Sequence, residues 1–266
     1  MTRPVQLVAV LLVAAAAVSA VLGITIMTRD TPHQPAVQSG TPPIPKTLPG
    51  PEGAAIEAAY ETWPKGSIDA MQRLAQQYPQ SALVHLYRGI ALLWSGFTFD
   101  AQTALERAKS LGRDTQIEIQ ADDFLHPQFN IGYPIFEPTP PTGLLEEGTK
   151  LQAQGHQRSA SKLFDKAAKL TPNDDQAQVA AAVGHFDKGD LNASFSRLGP
   201  LTKRFPQSQV VRYYIGLLLV WTGQFDQAVI EFKKAVAIDA TSKRGRASQF
   251  LLDKLTGKPA ATTTTG

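Results

Sequence analysis

The chain contains no cysteine among its 266 residues. Disulfides, thiolate metal sites and lipid modification of an N-terminal cysteine are therefore excluded. Charge is also modest, since 18% of the residues are charged and the net charge is only +3. The Lys and Arg residues are scattered and form no basic stripe, so the electrostatic footprint of a nucleic-acid-binding protein is missing. We expect no nucleic acid among its partners.

Arrangements suited to catalysis or metal binding are equally scarce. The histidines show no spacing that would build a metal site, and they are His33, His85, His126, His156 and His185. No glycine-rich phosphate loop is present, and no serine stands in a recognisable nucleophile setting. We expect a protein that is not an enzyme and that uses no cofactor, metal ion or small-molecule substrate.

One long apolar run marks the N-terminus. The segment from Val5 to Met27 carries no charge, and about 20 apolar residues can cross a membrane as a helix. Val18–Ala20 also offers small residues for a signal peptidase, but the apolar run extends almost to Arg29. Residues 1–30 are predicted to be a transmembrane anchor of a single-pass protein with an extracytoplasmic C-terminal domain. The alternative is a cleaved signal segment on a secreted or periplasmic protein.

Two further segments are unsuited to a folded core. Residues 31–51 contain seven prolines among Gln, Ser, Thr and Gly, which predicts a semi-rigid linker extending about 3.1 Å per residue. Residues 257–266 are mostly Thr and Ala and are predicted to be a disordered tail. The folded domain is therefore expected in residues 52–256.

A duplication relates two parts of this domain. At an offset of 127 residues, Tyr78–Ser81 (YPQS) aligns with Phe205–Ser208 (FPQS). The alignment continues with the pairs Tyr87 and Tyr214, Gly89 and Gly216, Leu92 and Leu219, Trp94 and Trp221, Gly96 and Gly223, Ala101 and Ala228, and Ala108 and Ala235. A shorter period of 34 residues separates Pro172 from Pro206. A period of 34 is typical of helical-hairpin repeats.

The residue types in each period suit two packed helices. In residues 141–174, Gly148 and Ala160 would let two helices approach closely, and Phe164 would fill the gap between neighbouring hairpins. Pro172 would stop the second helix before the next begins. Similar patterns occupy the windows 48–81, 82–115, 175–208 and 209–242, the first and third of them degenerate.

With these residues the chain resembles the tetratricopeptide repeat family. The resemblance implies an all-α fold, an α-solenoid of about five stacked helix-turn-helix hairpins, preceded here by the predicted transmembrane helix. A single hairpin cannot bury its apolar face, so each depends on its neighbours. The layout of anchor and repeats favours a bacterial protein. Ser242 to Leu255 is predicted to be a terminal capping helix, and a second solitary helix is predicted around Phe124.

The resemblance also implies a binding surface, because the first helix of each hairpin lines the concave face in this family. The residues predicted to bind a partner there are Leu86, Ile90, Trp94, Val183, Phe186, Tyr213, Leu217 and Trp221. Such an apolar groove with aromatic anchors suits a peptide or protein partner. The ordered basic residues of a carboxylate clamp are absent. The alternative interpretation is that both tryptophans belong to the core.

The irregular segment 127–141, PQFNIGYPIFEPTPP, interrupts the repeats. It combines aromatic and aliphatic residues with prolines, so water is an unfavourable environment for it. It either lies in the groove of the array, or contributes to the partner surface, or connects the duplicated halves as a packed link. The expected function is a non-catalytic, membrane-tethered interaction scaffold. The alternative is a structural or self-assembling subunit of an envelope complex.

Overall fold

The computed structural model describes Pro42 and residues 47–257, and within this part of the chain the fold is all-α. It has twelve helices and no strand there. The chain forms two compact units, and the boundary falls between Gly112 and Arg113. The predicted anchor and most of the predicted linker and tail lie outside the described residues. Among the described helices, none is long and apolar enough to cross a membrane.

The first unit contains two helical hairpins. Its helices are α1 (Gly50–Tyr60), α2 (Ser67–Gln77), α3 (Ala82–Trp94) and α4 (Thr98–Leu111). Each helix packs against the next, and α1 also packs against α3. Leu92, Ala101 and Ala104 form a buried cluster between α3 and α4.

The second unit begins with one solitary helix, continues through three hairpins and ends with another solitary helix. Its helices are α5 (Gln116–Leu125), α6 (Gly143–Ala153), α7 (Gln157–Leu170), α8 (Asp175–Gly184), α9 (Asn192–Arg204), α10 (Gln209–Trp221), α11 (Phe225–Ile238) and α12 (Lys243–Thr256). Besides the contacts within hairpins, α10 packs against both α8 and α12. The first helices of the later hairpins therefore form one layer, which α12 extends. The expectation of an all-α fold built from paired, stacked helices is confirmed.

Short polar signals set the helix ends. The hydroxyl groups of Ser81 and Ser208 accept hydrogen bonds from the N–H groups of Val84 and Val211 at 3.3 and 3.2 Å, so both serines cap the helices that they precede. The same tight turn then follows three first helices. An N–H group at the start of the second helix donates to a carbonyl five residues earlier, as from Phe97 to Leu92 at 2.9 Å. Corresponding bonds close the turns after α6 and α10, and a glycine with positive φ supports each turn.

Small residues at the helix crossings are required by the packing. A Cβ atom added to Gly216 would lie 2.7 Å from the ring of Phe232, which is fully buried. Gly148 stands in the same relation to Phe164, and Gly89 to Leu105. In these three hairpins the large residue of the second helix thus occupies the space that a side chain on the first helix would need. This packing explains the spacing found in the sequence.

Candidate functional site

An extended segment runs along the helices of the second unit. We call residues 130–139 the strap. Its N-terminal end contacts the C-terminal end of α10, where the main-chain N–H of Asn130 donates to the carbonyl of Trp221 at 3.2 Å. Its C-terminal end reaches the start of α8, where the N–H of Thr139 donates to Gln176 at 2.8 Å. The strap therefore runs in the direction opposite to these helices. It lies on the layer that the first helices of the hairpins form.

Side chains of this layer bind the main chain of the strap. Gln152 on α6 accepts from the N–H of Phe136 at 2.8 Å and donates to the carbonyl of Pro134 at 3.4 Å. Gln176 on α8 makes a matching pair of bonds with Thr139, both 2.8 Å long. The hydroxyl of Tyr214 accepts from the N–H of Glu137 at 2.6 Å. These contacts supply partners for main-chain groups that have no helix or sheet to satisfy them.

Three further donors complete this pattern. The indole N–H of Trp221 donates to the carbonyl of Gly132 at 3.1 Å. Arg244 on α12 donates to the carbonyl of Glu137 at 2.8 Å, and Thr149 on α6 donates to the carbonyl of Phe136 at 2.6 Å. Because the bonds go to the main chain, they require an extended conformation more than a particular sequence.

Two aromatic side chains of the strap point into the helices. Phe136 is fully buried and lies against Phe164 and Tyr214, with ring centroids 5.8 and 5.0 Å away. Tyr133, three residues earlier, makes an edge contact with Phe186 at 5.4 Å. Full burial of one phenylalanine side chain is worth about 1.5–3 kcal/mol. The strap thus contributes to the core of the second unit.

The opposite side of the strap carries apolar side chains in contact with water. Ile131 is 59% exposed and Ile135 is 41% exposed, whereas Phe136 has no exposed surface. The strap covers apolar residues of the helices and presents two new ones. The strap therefore occupies the groove along the helices and also forms part of the surface that faces water.

A charged anchor, made by Asp123 and Lys188, holds the N-terminal half of the strap. The side chain of Lys188 is fully buried, and its ammonium donates hydrogen bonds to the carboxylate of Asp123 and to the carbonyl of Asn130. Burial raises the pKa of Asp123, although Lys188 acts in the opposite direction. Asp123 also accepts from the N–H of Gly132 at 2.9 Å. Breaking such a buried pair on one side leaves an uncompensated charge.

Tyr133 is held next to this anchor. Its hydroxyl donates to the carboxylate of Asp122 at 2.5 Å. Burial, followed by the negative charge of Asp122, raises the pKa of Tyr133. The phenol therefore stays protonated at neutral pH and keeps its role as a donor.

Helix α5 brings the two aspartates of this region into place. Asp114, just before α5, accepts hydrogen bonds from the N–H groups of Arg158 and Ser159 at 2.8 and 3.0 Å, so it caps α7 from outside that helix. Glu118 on α5 accepts from the guanidinium of Arg158 at 2.8 Å. The start of α5 is thereby fixed to the start of α7, which orients Asp122 and Asp123 towards the strap.

The predicted partner-binding residues fall into two groups. In the second unit, Val183, Phe186, Tyr213, Leu217 and Trp221 are all at most 8% exposed and belong to one core cluster with Phe136. Of these, Phe186 and Trp221 contact the strap directly. In the first unit, Leu86 and Ile90 are buried and Trp94 is partly buried. The five predicted residues of the second unit therefore lie together in the core to which the strap contributes Phe136.

Several polar groups at the strap were not predicted from the sequence, namely Gln152, Gln176, Lys188 and Arg244. A signal existed for the two glutamines. Gln152 occupies position 12 and Gln176 position 2 of their 34-residue windows, and both positions face the groove in the repeat pattern that the sequence resembles. The prediction of an apolar groove named only apolar residues at these positions. Lys188 and Arg244 lie outside the first helices, so the pattern did not indicate them.

Within the described residues, no group of three or more His, Asp or Glu side chains is arranged to hold a metal ion. No family model and no curated protein matches the chain.

Proposed function

We propose that the chain is a member of the tetratricopeptide repeat family and acts as a non-catalytic scaffold that binds a partner polypeptide. In this proposal residues 1–30 tether it to a membrane and the repeats lie outside the cytoplasm. Support for the family comes from the crossings, where Gly148 and Gly216 pack against Phe164 and Phe232, and from the matching turns of three hairpins. Both features follow the 34-residue spacing.

The observation that carries the binding role is how the second unit holds the strap. Side chains from α6, α8, α10 and α12 bind the main chain of an extended segment over most of its length. A layer of helices with donors and acceptors at this spacing is suited to an extended polypeptide. The groove is therefore the proposed place of partner binding.

A photocrosslinking amino acid at two positions tests this role in native membranes. Lys243 lies on the groove side, where its ammonium pairs with Glu137 at 2.7 Å. Ile230 is 52% exposed on α11, a second helix of a hairpin, and serves as the control. A partner polypeptide crosslinked from position 243 and absent from position 230 is expected. Equal crosslinking from both positions, or from neither, would contradict the proposal.

The orientation and anchoring are tested separately. Protease added to intact cells or spheroplasts should digest the repeats while the N-terminal residues remain with the membrane fraction. Release of the protein without detergent would favour the cleaved signal segment instead. Protection of the repeats until the membrane is lysed would contradict the proposed orientation.

A second candidate function is that of a structural subunit, which assembles permanently with an envelope complex or with itself. The burial of Tyr213, Leu217 and Trp221 favours it, because these side chains are already used within the chain. Light scattering on the detergent-solubilised full chain distinguishes the two. A stable monomer favours transient binding, and a fixed oligomer favours the structural role.

A further inference from the structure

We propose that the strap is a resident ligand of the groove, and that a partner segment of similar chemistry replaces it. This inference rests on the proposed function and names the ligand class and the regulation of the same site. The ligand is an extended peptide with two aromatic residues three positions apart, the second followed by an acidic residue. In the strap these are Tyr133, Phe136 and Glu137.

The helices recognise the strap mainly through its main chain. Gln152, Gln176 and Trp221 bind main-chain atoms of the strap, and any extended peptide offers the same atoms. Specificity is left to few side chains, because Ile131 and Ile135 point away from the helices. A different chain could therefore make the same bonds, provided that it presents the two aromatic rings at the correct spacing.

Specificity comes from an aromatic pocket and from the positive charge beside it. The second ring enters a site formed by Phe164 and Tyr214. The residue after the second ring, Glu137, lies next to two cations. Lys243 forms an ion pair with its carboxylate, and Arg244 donates a hydrogen bond to its carbonyl. An acidic side chain directly after the second aromatic residue is thus favoured over a basic one.

The strap can leave without unfolding a helix. It is bounded by α5, which ends at Leu125, and by α6, which begins at Gly143. Pro127 and Gln128 on one side, and Pro140 to Thr142 on the other, are exposed and lie outside any helix. The release of the strap therefore breaks its own contacts and leaves the hairpins with their helix-to-helix packing.

The occupant is a segment of another protein. A strap from a second copy would have to give up the same contacts in its own chain that it gains in the other, so exchange between copies yields little net free energy. A segment that is free beforehand has no such loss. The resident strap is tethered to the groove and therefore competes at a high effective concentration. Only a peptide that binds the groove with high affinity can replace it.

The test uses the purified full chain in detergent and a fluorescent peptide with the sequence of residues 129–140, FNIGYPIFEPTP. Fluorescence anisotropy compares the wild type with Phe136→Ala, which removes the main apolar contact of the strap. We expect the variant to bind the peptide at least tenfold more tightly than the wild type does. Binding should also raise the melting temperature of the variant.

Matched controls assign the effect to the groove. A peptide with alanine at the place of Phe136 should fail to bind, and Ile135→Ala, which alters an exposed side chain, should behave as the wild type does. Tyr133→Phe, which removes only the bond to Asp122, serves as a milder variant if Phe136→Ala does not fold. It should also bind the peptide more tightly than the wild type does.

Two outcomes would overturn the inference. One is a folded variant, Phe136→Ala or in its place Tyr133→Phe, that binds the peptide no more tightly than the wild type. The other is a wild-type dimer in which the strap of one copy crosslinks to the groove of the other, which would make a second copy the occupant. Neither outcome changes the photocrosslinking test at Lys243, so failure of this inference is distinguishable from failure of the proposed function.

Discussion

At the scale of single residues, the stability of the second unit depends on a few tightly packed positions. Phe136 fills a site between two other aromatic rings and has no exposed surface. Gly216 leaves space for the ring of Phe232. Packing of this density makes even small changes of volume costly.

Phe136→Ala is expected to lower the free energy of unfolding by about 3–5 kcal/mol, because it removes a buried ring and leaves a cavity. Ile135→Ala, at the next residue, is the control, since its side chain is 41% exposed. The control should cost about 1 kcal/mol or less. Urea unfolding followed by circular dichroism measures both. Equal losses would show that the strap is not packed as described.

Gly216→Ala is expected to cost about 1–3 kcal/mol, since the new methyl group overlaps the ring of Phe232. Gly199, inside α9, serves as the comparison because no atom beyond its chain neighbours and its own helix backbone lies within 4 Å of an added Cβ there. Gly199 precedes Pro200, whose ring disfavours the helical conformation of a preceding residue that carries a Cβ, so no gain from helix propensity is expected and Gly199→Ala should change the free energy of unfolding by about 1 kcal/mol or less. A larger fall in melting temperature for Gly216→Ala than for Gly199→Ala would support the packing at the crossing, and equal falls would contradict it.

Asp114 provides a pH-dependent contribution to stability. Partial burial alone would raise the pKa of its carboxyl group, but hydrogen bonds from Ser159 and Arg158 outweigh this effect and hold the pKa below its ordinary value. The charged form is therefore favoured by folding, and its contribution is lost as the pH falls below about 4. Asp114→Asn keeps a residue type that tolerates the local φ of 62°.

Asp114→Asn should therefore lower stability at pH 7, and by a smaller amount at pH 3, where the contribution of the carboxylate is already partly lost. Free energies of unfolding at both values, measured for variant and wild type, check this expectation. A difference that is the same at both pH values would show that the carboxylate charge does not contribute.

At the scale of elements, α5 and the strap act together. The start of α5 is fixed to α7 through Asp114 and Glu118, and its end presents Asp123 to Lys188 and the strap. The strap in turn spans α6, α8, α10 and α12 through bonds to its main chain. The segment between the duplicated parts is thus integrated into the second unit.

Lys188→Met is expected to cost about 3–5 kcal/mol, because the carboxylate of Asp123 loses its buried counter-charge. The double variant with Asp123→Asn should recover part of that loss, since no buried charge is then left unpaired. A double-mutant cycle by urea unfolding measures the coupling. Strictly additive losses would mean that the pair is not coupled.

At the scale of the whole molecule, the chain consists of two compact units, and every contact of the strap described above lies within the second. Residues 113–257 contain α5, the strap and all the helices that bind it. A unit with its own core and satisfied main-chain groups can fold alone.

A fragment of residues 113–257 is therefore expected to unfold cooperatively. A fragment of residues 143–257 lacks α5 and the strap, and it should melt at a lower temperature, since Gln152, Phe164 and Tyr214 lose their contacts with the strap. Calorimetry of both fragments provides the comparison. Equal melting temperatures would show that α5 and the strap add nothing to this unit.

The helical hairpins could be predicted because their signals are local. A glycine, a turn and a large residue recur within 34 residues, and the same short-range packing produces each hairpin. All five predicted windows contain two helices, and solitary helices lie at 116–125 and 243–256. The duplication also predicted that Trp94 and Trp221 occupy equivalent places, each at the end of a first helix.

The path of segment 127–141 was left open by the sequence, and its contacts show why. Glu137 forms a hydrogen bond with Tyr214, 77 residues away in the sequence, and Asn130 forms one with Val220, 90 residues away. A periodic pattern in the sequence does not predict pairs that are so far apart. The segment packs on the helices of its own unit through these contacts and at the same time joins α5 to α6, so it has features both of a chain lying in the groove and of a packed link.

The two described helices of each hairpin, and their order, could therefore be predicted from the amino-acid sequence, because they depend on contacts between residues close in the chain. Three features become visible only in the folded protein: the apolar layer of the second unit is already covered, Gln152 and Gln176 bind main-chain atoms, and Lys188 is buried. These facts depend on which distant groups can satisfy a strap that has no hydrogen-bonding pattern of its own.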